Sequence, residues 1–556
     1  MGPAFTTFVH LRARRLNRWS RLARYARAAA IGLVAVAAAY VVGANAFLST
    51  GWFARDVNAY PETIEVHFAR GWTLWPGTLH ARDLSIRATD SNVEWILRID
   101  EVTFDVSLWG LLHRRFFADH VRGTGVSLRV RQRLDAMPKT PARVANLPPI
   151  EGLPPYALRP KVNDPYPDWD DAYWNLWTIR LRDVVAEHTR EVWIDDDRFV
   201  GDARVTGGFY LKPVRQAQIG PVHAEIAEGR LTRGERETVA ATVGGSLDVT
   251  VDAFDPRVTF GRLILDRVAA RANISAELGK PATAFVTARL TSRGGRIDDG
   301  SRVEALVPHV ELPAGDMEAR GTVAATAEAR GGVIDVVAES RQLRLERKRT
   351  FVAEGDVTLA ARVRGLDLAK HDDTLDVSGS RLFVEHATLA EHARAEERWG
   401  AEIVVDHAHL HLSPARFEGR MRVGSSDAFP LFATVLHDQA PRIVESLLSL
   451  PRLQGVAWLT ASPDAFAWRD VVARGGDVWI RGAYGQAGPD RIGAFVVDKG
   501  PLSAGIGIDD QGTHPHVFGL DTWLLEREIS LNRWMEERAR QPAARERGAR
   551  GPRSSP

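Results

Sequence analysis

Three histidines stand at alternate positions in the run DHAHLHL: His407, His409 and His411. On an extended strand such residues share one face, where imidazoles could converge on zinc. The residues between them, Ala408, Leu410 and Leu412, are apolar. The simpler reading is therefore a solvated, histidine-rich outer face over a buried inner one. Asp195, Asp196 and Asp197 follow the strand-like Val192-Trp193-Ile194 and precede Arg198. A calcium loop needs alternating ligands and a later bidentate acid, so this run reads as a turn. His386 and His392 lack a helix-supported spacing and read as surface. The sequence holds no phosphate-cradling glycine loop, no HExxH and no GxSxG. Cysteine is absent, which removes disulfides, thiolate metal sites and cysteine nucleophiles. With no nucleophile, base and stabiliser brought together, the expectation is a protein that is not an enzyme and has no cofactor, catalytic residue or metal site.

The elements that position these residues are strands. Period-two alternation runs for hundreds of residues, with Val268, Ala270, Ala272, Ile274, Ala276 and Leu278 on one side of an extended chain and Arg267, Arg271, Asn273, Ser275 and Glu277 on the other. It returns at Ala319, Gly321, Val323, Ala325, Ala327 and Ala329, and at Val357, Leu359, Ala361 and Val363. Shorter versions occur at Trp95, Leu97 and Ile99, at Val102, Phe104 and Val106, and at Val126, Leu128 and Val130. Between residues 179 and 425 no helical periodicity competes, so no helices are on hand to cover the apolar face. That face must bury itself against another sheet, by curling, or against something the chain does not supply. Its Ala, Gly and Val side chains fill little volume, which suits a curled sheet with a hollow interior fit for acyl chains. A filled β-sandwich or solenoid stands beside it as the alternative.

The expected fold class is mainly β: an elongated, curled antiparallel sheet, groove-like, with one amino-terminal transmembrane helix and a few short helices. The candidate groove lining is Trp95, Leu97, Ile99, Phe104, Val268, Ala270, Ala272, Ile274, Val323, Ala325, Ala327, Val357 and Leu359.

Residues 28–54 carry no charge, and seven arginines from Arg12 to Arg27 precede them. The apolar run from Ala28 to Leu48 matches the roughly 20 residues that cross a bilayer; Ile31, Leu33, Val34, Val36, Val41, Val42, Phe47 and Leu48 would face lipid. The arginines predict a cytoplasmic amino terminus, with everything after Asp56 across the membrane. Ala44-Asn45-Ala46 also has the form of a signal-peptidase site, but the long basic leader and long apolar run favour a retained anchor.

The regions read as a basic leader (1–27), the anchor (28–50), a first β region (51–136), a proline- and aromatic-rich connection (137–178), the repetitive sheet (179–426), a helical pair (427–450), a last β region (451–520), an amphipathic helix (521–540) and a polar tail (541–556). In the connection, Tyr166, Trp169, Tyr173, Trp174 and Trp177 are expected to pin the loop to the body. The helical pair rests on Phe429, Phe432, Leu436, Ile443, Val444, Leu447 and Leu448, with Asp427 as its cap. Hydrophobic residues at 45% and charged residues at 26% indicate an ordered chain. Net charge is +1, concentrated in the leader, so the body has no basic field for nucleic acid.

The stretch PGTLHARDLSIRA (Pro76–Ala88), followed by WILRIDEVTFDVSLWGLLHRRFFADHVRGTGVSLRVRQR (Trp95–Arg133), resembles the amino-terminal part of AsmA-like proteins. LLSLPRLQGVAWL (Leu447–Leu459) and GAFVVDKGPLSAGIGI (Gly493–Ile508) are similar in style to that family's carboxy-terminal block. The resemblance is weakest from 137 to 425. It implies a bacterial inner-membrane protein with a periplasmic body, whose apolar groove binds phospholipid and conducts it toward the outer membrane, with a periplasmic or outer-membrane protein as partner. The alternative is a periplasmic scaffold or assembly factor for outer-membrane proteins, acting through strand edges.

Overall fold

The computed structural model describes residues 4–132, 150–153 and 178–540, apart from internal stretches of which 254–266, 390–398 and 428–450 are the longest. The chain is mostly β, as expected. It divides into two units, Met1–Asp266 and Arg267–Pro556. The division falls inside what reads in sequence as one repetitive sheet.

The first unit opens with one continuous helix, Ala4–Ser49. Its part Tyr25–Ser49 is long and apolar enough to cross a membrane. Ile31, Leu33, Val34, Val36 and Val42 are exposed, each by more than half, and Phe47 by 38%. Val41 and Leu48 are half-buried. A helix satisfies its own backbone, so bare apolar side chains are the only part of it left wanting a non-aqueous neighbour.

The sheet of this unit is antiparallel from Ile64–His67 to Ser127–Gln132. Thr178–Ile194 then pairs parallel with both Arg115–Thr124 and Ser127–Gln132. A parallel pairing cannot be closed by a tight turn and needs a crossover of a dozen or more residues. The proline-rich connection supplies that crossover. Antiparallel order resumes through Asp197–Lys212 and Gln216–Arg233 to Glu237–Ala253.

The second unit is an antiparallel meander from Arg267–Glu277 to Gly512–His516. Its hairpins are tight where sequence permits. Gly331 and Gly332 form a two-residue turn with φ of 58° and 74° between Met317–Arg330 and Val333–Arg347, the left-handed geometry that side chains resist. Where the apolar positions change parity, the strand inserts one extra residue. Val307 pairs with Val323 and Val310 with Gly321; Val405 pairs with Met421 and Ala408 with Gly419. Both bulges return the apolar side chains to the same face.

The last strands are solid. Leu453, Ala473, Val478, Ile480, Tyr484, Phe495, Val497, Ile506 and Ile508 form one buried cluster, with Phe466 and Trp468 packed on it. The helix Leu520–Arg540 covers the other face, Leu524 joining Ala494 and Val496 in a second buried cluster. The sequence GIGI (Gly505–Ile508) explains how both faces close: its isoleucines point into the first cluster and its glycines make room for the helix. A Cβ on Gly505 would lie 2.9 Å from the Trp523 ring, and one on Gly485 2.6 Å from Leu531.

Candidate functional site

In the second unit, hydrogen-bond register carries one apolar row across the strands. It runs Ile274, Val286, Ala305, Ala325, Ala338, Leu359, Leu382, Ile403, Val423, Gly455, Ala473, Ile480, Val497 and Ala504, each the cross-strand partner of the one before. A flanking row runs Ala272, Ala288, Val303, Ala327, Val336 and Ala361. A third joins Val307, Val323, Ser340, Val357 and Val384. Val268 and Ala270 extend the face beside Ser292 and Leu290. Directly opposed side chains sit about 4.5–5.5 Å apart at Cβ, so these rows are contiguous surfaces. The candidate lining residues of this unit thus share one face.

The other face is charged. Arg271, Arg289, Arg302, Glu328, Asp335 and Arg362 form its cross-strand row, and Arg362 pairs with Asp335 at 3.3 Å. Because a one-residue slip would exchange the two faces, this contrast fixes register at every step.

The apolar row changes character along its length. From Ile274 to Gly455 its members are half-buried, with Leu359 exposed by 39%. Ala473, Ile480 and Val497 are then closed to 6%, 0% and 3%. Bulky Tyr484, Phe495, Phe466 and Trp468 fill the space there. Upstream the row stays half-buried, and at its Ile403 end it packs against a further buried cluster of Val377, Val405, Ala408 and Met421.

In the first unit, Trp95, Leu97 and Ile99 are partnered by Ala88, Ile86 and Leu84. Val130 and Leu128 oppose Trp95 and Leu97 on the other side, and lead on to Ile194 and Val192. All are half-buried except Ile194, which is 53% exposed. Phe104 lies past a parity change, near Asp83 at φ 51°. A Cβ on Gly123, the partner of Val102, would meet Ile99 at 3.3 Å, so Ile99 and the Val102–Phe104–Val106 set share a side.

The opposite face of these strands was not singled out by sequence reasoning. Glu94 and Arg131 form a buried ion pair, 2% and 1% exposed. Glu191 receives Arg129 and Arg198, both at 2.7 Å, and Ser127 at 3.0 Å. Ile150 and Leu153 of the crossover close over this network, packed on Ile96 and Trp193. Burial pushes the Glu191 carboxyl up, but the bonds from Arg129, Ser127 and Arg198 outweigh it and hold the group below its ordinary 4.5. The signal was present in sequence: Glu94, Arg129, Arg131 and Glu191 occupy the parity of Ile96 and Trp193, where a plain solvated face would not place bulky apolar residues.

The remaining candidates fall as follows. His407 and His409 are exposed, beside Arg420 and Glu418, and the ring of His411 is 3.0 Å from Thr374 Oγ1. Among the described residues no three His, Asp or Glu side chains form a group that could hold a metal ion. Asp197 starts a strand and meets Arg233 at 3.4 Å; Asp195 and Asp196 lie outside the described residues. His386 sits at a bulge with φ 55°, 3.3 Å from Asp356. Asp427 closes a strand and pairs with Pro451. The helical pair after it, the aromatic cluster Tyr166–Trp177, His392 and the tail lie outside the described residues. Compared with known protein families, curated proteins and solved structures, the chain has no match.

Proposed function

We propose that this chain is a noncatalytic lipid carrier. In this reading the helix Tyr25–Ser49 spans a bacterial inner membrane with its amino terminus in the cytoplasm. The body lies in the periplasm, and its apolar sheet face takes the acyl chains of phospholipid bound for the outer membrane. The observation that carries it is the register row from Ile274 to Leu382, apolar at every position and fully buried at none of them. Removing such surface from water is worth about 25 cal/mol per Å², and an acyl chain supplies the cover that alanines cannot. Seven arginines before the apolar run support the orientation, and the likeness to AsmA-like proteins is in keeping with the whole.

A photo-crosslinker placed at Leu359 of the full chain tests it. Phospholipid should be captured, and Ala272→Asp with Ala325→Asp should lower that capture several-fold without blocking export, since a charge on this face repels acyl chains. Capture of protein and no lipid would sink the reading in favour of the scaffold.

A further inference from the structure

We propose that two turns at the start of the sheet, Trp72–Gly77 and Ser107–Leu112, form a lip embedded in the distal leaflet of the bilayer that the amino-terminal helix crosses. The inference rests on the anchor reading and is independent of lipid transport.

The helix and the first turn are bonded at two levels. Asn45 donates from Nδ2 to the Thr73 carbonyl at 2.8 Å and accepts from the Thr73 N–H at 3.0 Å. One and a half turns deeper, the Gly77 N–H donates to the Tyr40 hydroxyl at 3.3 Å. Gly77 is held by its own backbone, with φ of 94° and space for a Cβ taken by the Val106 carbonyl at 2.9 Å. The Val106 N–H donates to the Gly77 carbonyl at 2.6 Å, which ties the first turn to the strand leading into the second.

Helix rise then sets the depth. Counting about 1.5 Å per residue from Ala28, the first residue past Arg27, Tyr40 lies about 18 Å and Asn45 about 25 Å into a hydrocarbon core of about 30 Å. Thr73 and Gly77 therefore sit roughly 5–12 Å inside its far boundary, and helix tilt would deepen them. Raising Tyr40 to that boundary would start the core near Ser20 and carry Arg21, Arg24 and Arg27 into hydrocarbon, at about 2.5–3.5 kcal/mol each toward the helix centre.

The chemistry of the lip suits that depth. Leu74, Trp75, Trp109 and Leu112 are exposed by 63%, 74%, 72% and 76%. Two hydroxyls between them are satisfied within the turns, which lowers the cost of a non-aqueous setting: the fully buried Thr73 donates its hydroxyl to the Trp75 carbonyl at 2.8 Å, and Ser107 Oγ accepts from the Gly110 N–H at 3.1 Å. Arg114 and Arg115, both exposed, follow at the rim, where guanidinium groups meet lipid phosphates.

The absence of cysteine allows a site-specific test. Single cysteines at Trp75, Trp109, Val36 and Leu502 in the full chain would carry nitroxide labels, in nanodiscs of phosphatidylethanolamine and phosphatidylglycerol. Val36 reports the helix interior and Leu502 the exposed body. Labels on Trp75→Cys and Trp109→Cys should behave like that on Val36→Cys, relaxed by oxygen and shielded from a nickel chelate. Nickel accessibility equal to that at Leu502, with Val36 still shielded, overturns the lip alone. A nickel-accessible label at Val36 removes the anchor, and the lip with it.

Discussion

The same apolar row has two fates in one sheet. Between Ile274 and Val423 it is half-covered and built of small or branched side chains, whereas at Ala473, Ile480 and Val497 it is sealed by aromatic rings on one side of the sheet while a helix closes the other. Antiparallel pairing and apolar–polar alternation continue through both stretches. What differs is side-chain volume and the presence of a covering helix. Uncovered apolar surface in an otherwise well-paired sheet is thus a local property of composition, and the filled end shows what this backbone does when large residues are provided.

The sharpest way to break the comparison is to put the same charge in each stretch. Ile480→Asp should cost about 4 kcal/mol or more, since it buries an unpaired carboxylate. Leu359→Asp, on the half-covered stretch, should cost less than about half of that. Urea unfolding of the two variants measures it, and equal losses would mean that the open stretch is as dry as the filled one.

A smaller effect isolates the covering helix. Leu531 is 1% exposed and packs over Gly485, so Leu531→Ala should cost about 2–4 kcal/mol. The loss should appear as faster hydrogen exchange confined to Leu520–Arg540 and the strands beneath it. Exchange quickening equally along the Ile274–Val423 rows would show that the two ends are one cooperative block.

The smallest effect lies in the first unit, where it is the charged face that is covered. Glu191 has a folded-state pKa below its ordinary 4.5. Its contribution is therefore fully present above that value and is lost as pH falls through the lower folded value. Stability should fall less steeply in Glu191→Gln than in the parent chain as pH drops below 4.5, read by acid unfolding. An unchanged acid limb would remove Glu191 from the forces that hold the crossover down.

Much of this was legible in the chain itself. Alternation placed Ala272, Ala325 and Leu359 on a common face because a strand's period is two, whatever surrounds it. Parity changes at Pro308-His309 and Asp406-His407 already marked the bulges. The buried Glu94–Arg131 pair went unread although Ile96 and Trp193 share its parity, because charge at alternate positions reads as solvent exposure until something is seen to cover it. Likewise, nothing in the spacing of the prolines says that Ile150 and Leu153 close over Trp193. The parallel junction at Thr178–Ile194 was also beyond reach, since strand direction depends on where a connection returns.

The sequence alone determined strand period, apolar face, the charge-free helix and the absence of cysteine chemistry, all of which are local properties of neighbouring residues. Only the tertiary structure decided which part of the apolar face stays half-buried, which charges are buried, and that the sheet is pinned to the helix at Tyr40 and Asn45. Those outcomes depend on contacts between residues far apart in the chain, where volume and direction count and periodicity is silent.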